Sequence, residues 1–323
     1  MRLRIIAEIA ILMIFLTVAL VAILGRNVAT SADMEDSVSA EEYAQRGDRI
    51  YASGRSRFNE ASIQYWEAVK RNPDMPDVYL KLAAIYYEYD WNYQTLHELS
   101  EVERIDPNYP GLALLLGKVH DKMADADKAF EAFQRAVTLE PGNAEAHFYL
   151  GAIYQQRAVE EEATRMEKEA ISEYEKAVES GPGSAAALKA HLQLGRIYRN
   201  KNPEKAEKEF REALGLDPAS AEAISELRNL YRHEAEDYEN RDEYDKAAEK
   251  YEEIVKIDPN SPRNVEIYMK LGNIYRSNEL YDRAVAVYEA ATKLDPLNFD
   301  AFSALKELEM LRETDSRKKQ NGN

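Results

Sequence analysis

The chain contains no cysteine, which removes disulfides, thiolate nucleophiles and cysteine-ligated zinc and leaves the compartment to be read from other features. Histidine is scarce: five residues, His97, His120, His147, His191 and His233, none in an HExxH pair or another metal-ligand spacing. Only 13 glycines and 11 prolines are spread over 323 residues, and no phosphate-cradling glycine loop is among them. Basic residues are the minority charge, 42 against 59 acidic ones, for a formal net charge of −17. Such a chain repels phosphate backbones, so no nucleic acid is expected as a partner. With no catalytic motif and no cofactor fingerprint, the expectation is a non-enzyme without cofactor or metal. What is present, 45% hydrophobic and 31% charged residues, is the composition of a folded, long-helix protein with solvated faces.

One long apolar run opens the chain. Ile5 to Leu24 is broken only by Glu8, and at about 1.5 Å per residue a helix of that length spans roughly 30 Å, the thickness of a bilayer core. The residues after Leu24 offer only weak small-x-small cleavage positions, at Ala29 and Ala32, so an uncleaved signal anchor is favoured over a cleaved signal peptide. Arg2 and Arg4 precede the run, whereas Arg26 follows it before the acidic Asp33, Glu35 and Asp36. The positive-inside rule then predicts a single-pass inner-membrane protein with its N-terminus in the cytoplasm and everything after Leu24 extracytoplasmic, in a bacterium periplasmic.

Beyond a small, polar, acidic stretch over residues 25–40, periodicity begins. Proline recurs at 73, 107, 141, 182, 218, 259 and 296, with successive gaps of 34, 34, 41, 36, 41 and 37. Leu116-Gly117, Leu150-Gly151, Leu194-Gly195 and Leu271-Gly272 are each followed three residues later by a ring, in the order His120, Tyr154, Tyr198 and Tyr275. A second triplet of small, aromatic and small or aliphatic residues follows: Ala129/Phe133/Ala136, Ala170/Tyr174/Ala177, Ala206/Phe210/Ala213, Ala247/Tyr251/Ile254 and Ala284/Tyr288/Ala291. Small residues let two helices approach, a ring fills the space one turn away, and the proline stops the second helix. A period near 34 with this pattern resembles the tetratricopeptide repeat family, from about Glu41 to Pro296. The first unit departs most, with Gly47 and Gly54 and an irregular spacing before Ala61, Tyr65 and Ala68; the second has Thr95 where a small residue is expected.

The implied fold is all-α: a superhelical solenoid of seven helical hairpins with a C-terminal capping helix, preceded by one transmembrane helix. The expected organisation is residues 1–24 as cytoplasmic N-terminus and membrane anchor, 25–40 as flexible spacer, 41–314 as the repeat array and 315–323 as a disordered polar tail. Two hairpins are longer, with 19 residues from Gly151 to Ala170 and from Arg228 to Ala247 against 12 from Gly117 to Ala129. The extra residues are expected to lengthen both helices of each hairpin by about a turn. Pro141–Pro218 and Pro218–Pro296 further look like a duplicated two-unit block.

In this family the first helix of each hairpin lines a groove that binds other proteins, and the resemblance implies the same here. On that face GRIYRN (195–200), RNLYRH (228–233) and GNIYRS (272–277) repeat Asn or Arg with Arg. The candidate protein-binding residues are therefore Arg196, Arg199, Asn229, Arg232, Asn273 and Arg276, suited to acidic side chains or a C-terminal carboxylate because guanidinium binds carboxylate in a two-point fork. An Arg in the last helical turn also complements the helix dipole without any ligand. The carboxylate clamp of chaperone-binding relatives adds Lys one turn earlier, where this chain has Leu192, Ser225 and Met269, so that clamp is incomplete. Tyr51, Tyr87 and Phe148 are candidate groove aromatics in the early units, though rings at helical spacing also serve as core. The tyrosine-rich YYEYDWNY (86–93) reads either as an exposed hot spot or as compensation for Thr95. The resemblance implies a scaffold for an envelope-associated machine of secretion, pilus, flagellar or outer-membrane type, with self-association as a further expectation. A cytosol-facing receptor for peptides or chaperone clients, and a non-catalytic subunit of an enzyme complex, are the other readings.

Overall fold

The structure, a computed structural model, describes residues 38–158 and 163–321. The membrane-anchor segment 5–24 and most of the spacer lie outside the described residues. Among those described, no helix is long and apolar enough to cross a membrane, and there is no strand.

Two units divide the chain after Pro141. In the first, α1 (Ala40–Tyr51) pairs with α2 (Phe58–Arg71), α3 (Pro76–Glu88) with α4 (Asn92–Ile105), and α5 (Leu112–Lys122) with α6 (Ala126–Leu139). The second unit pairs α7 (Ala144–Arg157) with α8 (Ala163–Ser180), α9 (Ala185–Tyr198) with α10 (Pro203–Leu216), α11 (Ala221–Glu239) with α12 (Tyr244–Ile257), and α13 (Asn264–Ser277) with α14 (Tyr281–Leu294). It ends in α15 (Phe299–Asn321), which packs on α14. Within each unit the second helix of a hairpin packs against the first helix of the next. The seven hairpins and final helix are thus those the periodicity predicts.

The packing explains the triplets. In all five complete Ala-ring-Ala sets, and in Ala61/Tyr65/Ala68, the three residues are buried. The ring lies flat against the glycine of the partner helix: a Cβ at Gly117, Gly195 or Gly272 would come closer than 3.0 Å to Phe133, Phe210 or Tyr288, and one at Gly151 would sit 2.9 Å from Tyr174. These glycines have ordinary helical backbones, so they are there for the missing Cβ and not for conformational freedom. The second hairpin solves the same problem with other sizes. Ala83 stands where the glycine would be, Thr95 and Leu99 where the alanine and the ring would be, and all three are fully buried. The tighter Ala83 face is matched by the smaller Leu99.

Turns between the two helices of a hairpin repeat one geometry. Asp90, Ala124, Asp242 and Glu279 all take the left-handed conformation, and the next residue's N–H returns to a carbonyl five positions back, as in Trp91 to Tyr86 (2.9 Å) and Leu280 to Tyr275 (2.8 Å), closing the helix C-terminus. Side-chain caps from Asp125, Asn143, Ser184, Asn202 and Ser220 start the helices that follow. The irregular first hairpin uses Gly54 at φ 103° and a 3₁₀ turn, Arg55–Arg57, to take up its extra residues.

Three expectations are adjusted. The two insertions do not lengthen both helices of their hairpins: α7 keeps 14 residues while α8 is described over 18, and α11 grows to 19 while α12 keeps 14. The added length falls in Ala163–Ser180 in one hairpin and in Ala221–Glu239 in the other. Residues 315–321, predicted as a disordered tail, continue α15, since nothing before Gly322 interrupts the helix. Finally, 86–93 is both core and surface. Tyr86, Tyr87 and Tyr89 pack partly buried against the first core, and Trp91 and Tyr93 are exposed. Trp66 Nε1 donates to Tyr86 Oη at 2.7 Å, and Trp91 lies 5.7 and 5.5 Å from the Tyr86 and Tyr89 rings.

Two histidines tie the first helix of a hairpin to the second. His147 of α7 meets Glu173 of α8 at 2.6 Å and His191 of α9 meets Glu209 of α10 at 2.7 Å, each four residues before the glycine, matching the packed, structural role that the repeat position predicts.

Candidate protein-interaction site

The candidate groove cations sit on the first helices of the second unit, where each faces the next first helix along the stack. Arg196 Nε donates to Glu226 Oε1 at 2.8 Å, and the same guanidinium reaches Glu222. Arg199 also donates to Glu226, a carboxylate whose side chain is only 12% exposed. Burial opposes its charge, but hydrogen bonds to Glu226 and Glu222 outweigh that and hold the Arg196 guanidinium above its ordinary range. Arg276 pairs with Glu307 of α15 at 3.3 Å. Asn273 Oδ1 accepts from Tyr288 Oη at 2.8 Å, which ties it to its own hairpin. Four of the six polar candidates are thereby engaged within the chain.

Arg232 differs. The insertion carries α11 on to Glu239, so Arg232 lies in mid-helix and the helix-dipole account does not apply to it. At the place that Glu226 occupies opposite Arg199, the next first helix has Lys270, itself bound to Glu239 at 2.9 Å. Arg232 consequently makes no ion pair or hydrogen bond with a described residue. It opens onto a cavity of about 580 Å³ whose wall continues with Arg263, Val265 and Met269. Arg263, just ahead of α13, likewise makes no ion pair with a described residue. Glu266 and Asp300 complete the rim. Asn229, beside this face, is exposed.

The turn bearing Arg263 is locked from behind. Arg228 fills the glycine position of its hairpin, is 6% exposed, and donates to Asn264 Oδ1 at 2.8 Å and to the Ile254 carbonyl at 3.3 Å. Asn264 in turn donates to the Asp258 carbonyl at 2.7 Å. Burial presses the Arg228 guanidinium below its ordinary range; Asp258 opposes this, and the like charges of Arg232 and Arg263 add to it. Three guanidiniums thus share one field, two of them facing open space. Such a pair can hold a carboxylate in a two-point fork while Val265 and Met269 receive an adjacent apolar side chain. Arg263 was missed in the sequence because it stands in the turn, outside the helical register. The available signal was the three extra residues between Pro259 and Gly272.

The aromatic candidates fall in both units. Tyr51 stacks on Phe58 with ring centroids 4.7 Å apart, and burial raises its phenol above the usual range, with Glu88 adding. Tyr87 lies under Lys122, 3.8 Å from Nζ to the ring centre. Both belong to the first unit. Phe148, in the second, packs 5.8 Å from Tyr174 in a small core of its own.

A model of the tetratricopeptide repeat matches residues 114–167, 168–221 and 233–299, more than half of the chain. The chain belongs to the tetratricopeptide repeat family. Its role is accordingly protein–protein interaction. Among curated relatives, Hsp70-Hsp90 organizing protein 1 of Glycine max is 27% identical over 110 residues and Hsp70-Hsp90 organizing protein 3 of Arabidopsis thaliana 28% over 110, in each case 34% of this chain. The chain covers 19% of the length of those relatives. Among solved structures, the C-terminal part of a tetratricopeptide repeat-containing protein from Cytophaga hutchinsonii aligns with a TM-score of 0.58 at 18% identity, over 81% of this chain and 99% of that one, a likeness of fold.

Proposed function

We propose that this tetratricopeptide repeat protein is a non-catalytic, membrane-anchored scaffold that captures an acidic segment of a partner protein at Arg232 and Arg263. The observation that carries the reading is the contrast along one face: Arg196, Arg199 and Arg276 have carboxylates supplied by the chain, while Arg232 and Arg263 share a cavity with none bound to them. In a protein of net charge −17, Arg232 and Arg263 offer a pair of cations to an acidic ligand beside the rim carboxylates Glu266 and Asp300. The apolar run 5–24 with its flanking arginines supports anchoring with the repeats outside the cytoplasm, and hence a role in assembling an envelope machine.

Two experiments test the two halves. A crosslinker carried at Met269 in living cells, compared between the native chain and Arg232→Glu/Arg263→Glu, is expected to trap a specific partner only in the former; the same adduct from both would exclude this cavity as the site. An alkaline phosphatase fused after Asn323 is expected to be active, and an inactive fusion at normal expression would place the repeats in the cytoplasm.

A further inference from the structure

The last described helix, α15, has the register of a first helix. Lys306 stands ten residues after Pro296, as Gly117 and Gly151 stand ten after Pro107 and Pro141, so α15 follows the register of the other first helices. Its inner face is treated like theirs, with Ala301 and Leu308 fully buried. Among the described residues, nothing covers the face that the others turn to their own second helix. Four residues before the glycine position, His147 and His191 meet Glu173 and Glu209, whereas Phe302 at the same place is 57% exposed. Phe299 (77%), Met310 (58%) and the preceding Leu297 (93%) extend this apolar surface, a density of exposed large side chains that marks an interaction face.

Charge selects the occupant. Glu307 on the flank is held by Arg276, but Lys306 and Glu309, three residues apart on this face, make no ion pair with a described side chain, those up to Met310. A stripe carrying one cation and one anion between apolar residues is complementary to itself run backwards. We infer that α15 pairs antiparallel with α15 of a second copy about a two-fold axis, Lys306 of each chain meeting Glu309 of the other and Leu305 meeting Met310. The two-fold makes every contact occur twice. The register that would set Lys306 on Lys306 is disfavoured by repulsion, so the charges fix the alignment as well as the partner. One helix face per chain lies at the small end of specific interfaces, which makes this a weak, reversible dimer.

The absence of cysteine gives a clean test. Purified full-length Lys306→Cys and Glu309→Cys chains, differently tagged, are mixed and oxidised. The expected product is a disulfide-linked heterodimer, formed several-fold faster than any adduct of the exposed Glu131→Cys control. In parallel, Lys306→Glu and Glu309→Lys are each expected to lower the dimer fraction, and the double reversal to restore it, with unchanged helical content. The inference is overturned if crosslinking is no faster than the control. It is equally overturned if Phe302→Glu abolishes association while both charge reversals leave it intact, since the face would then serve another occupant.

Discussion

Gly195→Ala probes the rule on which every hairpin is built. The added Cβ would collide with the Phe210 ring, a fully buried side chain that cannot swing away into solvent. Overpacking of this kind costs about 1–3 kcal/mol, against a gain of about 1 kcal/mol from replacing glycine inside a helix, so the net loss is roughly 0–2 kcal/mol. Gly215→Ala, near the end of α10 with nothing within 4 Å of its Cβ, has only the gain and should stabilise by a few tenths of a kcal/mol to about 1 kcal/mol. The second hairpin suggests the remedy, because it pairs Ala83 with Leu99. Phe210→Leu alone should cost about 1–2 kcal/mol for the space it leaves. Gly195→Ala/Phe210→Leu should lose less than the two single changes together, with a coupling of about 1 kcal/mol or more. Hydrogen exchange of α9 and α10 amides is the assay, since stacked repeats open locally and one melting temperature would average over them. Strict additivity, or a Gly195→Ala chain more protected than the native one, would refute the close-approach argument.

Other perturbations read out separate parts of the account. Ala124 holds a left-handed turn conformation at φ 58°, which costs a non-glycine residue about 1 kcal/mol, so Ala124→Gly should raise the protection of α5 and α6 in spite of the added chain entropy. Glu98 is buried in the first unit and its carboxyl is pushed up to about 7, mainly by desolvation. Its native state therefore holds a proton more tightly than the unfolded chain, and the stability this lends is full below about pH 4.5 and lost as pH rises to about 7. Glu98→Gln should be neutral at pH 4.5 and stabilising at pH 8, by at most about 3 kcal/mol in urea unfolding of the first unit; an equal effect at both would contradict the burial argument. Glu226→Gln frees Arg199 and leaves Arg196 with Glu222 alone, and should raise affinity for an acidic peptide several-fold at low salt and little at high salt.

The residues that announced the fold are those whose packing repeats. Phe133, Phe210 and Tyr288 each need a glycine across from them, and the chain has to turn after each second helix, so the Leu-Gly pairs, rings and prolines expose hairpin count and boundaries in one dimension. The site was less legible because pairing is a property of neighbours. Arg199 and Arg232 occupy the same repeat position, and only the residue on the next first helix, Glu226 for one and Lys270 for the other, separates a satisfied cation from an open one. Arg263 belongs to a turn whose path depends on buried Arg228, and no helical period could place it. The division of the insertions between helices was hidden for a similar reason. Seven added residues preserve the register whether one helix takes them or both do.

The most direct test of the central claim is fluorescence anisotropy with a labelled short acidic peptide interspersed with leucine, titrated with the full-length chain and with Arg232→Glu/Arg263→Glu. The account predicts salt-sensitive binding that the double reversal weakens by tenfold or more, about 1.4 kcal/mol at the least, while Arg199→Glu/Arg276→Glu leaves it within about twofold because those guanidiniums already have carboxylates. Equal binding by the native and Arg232→Glu/Arg263→Glu chains would contradict it.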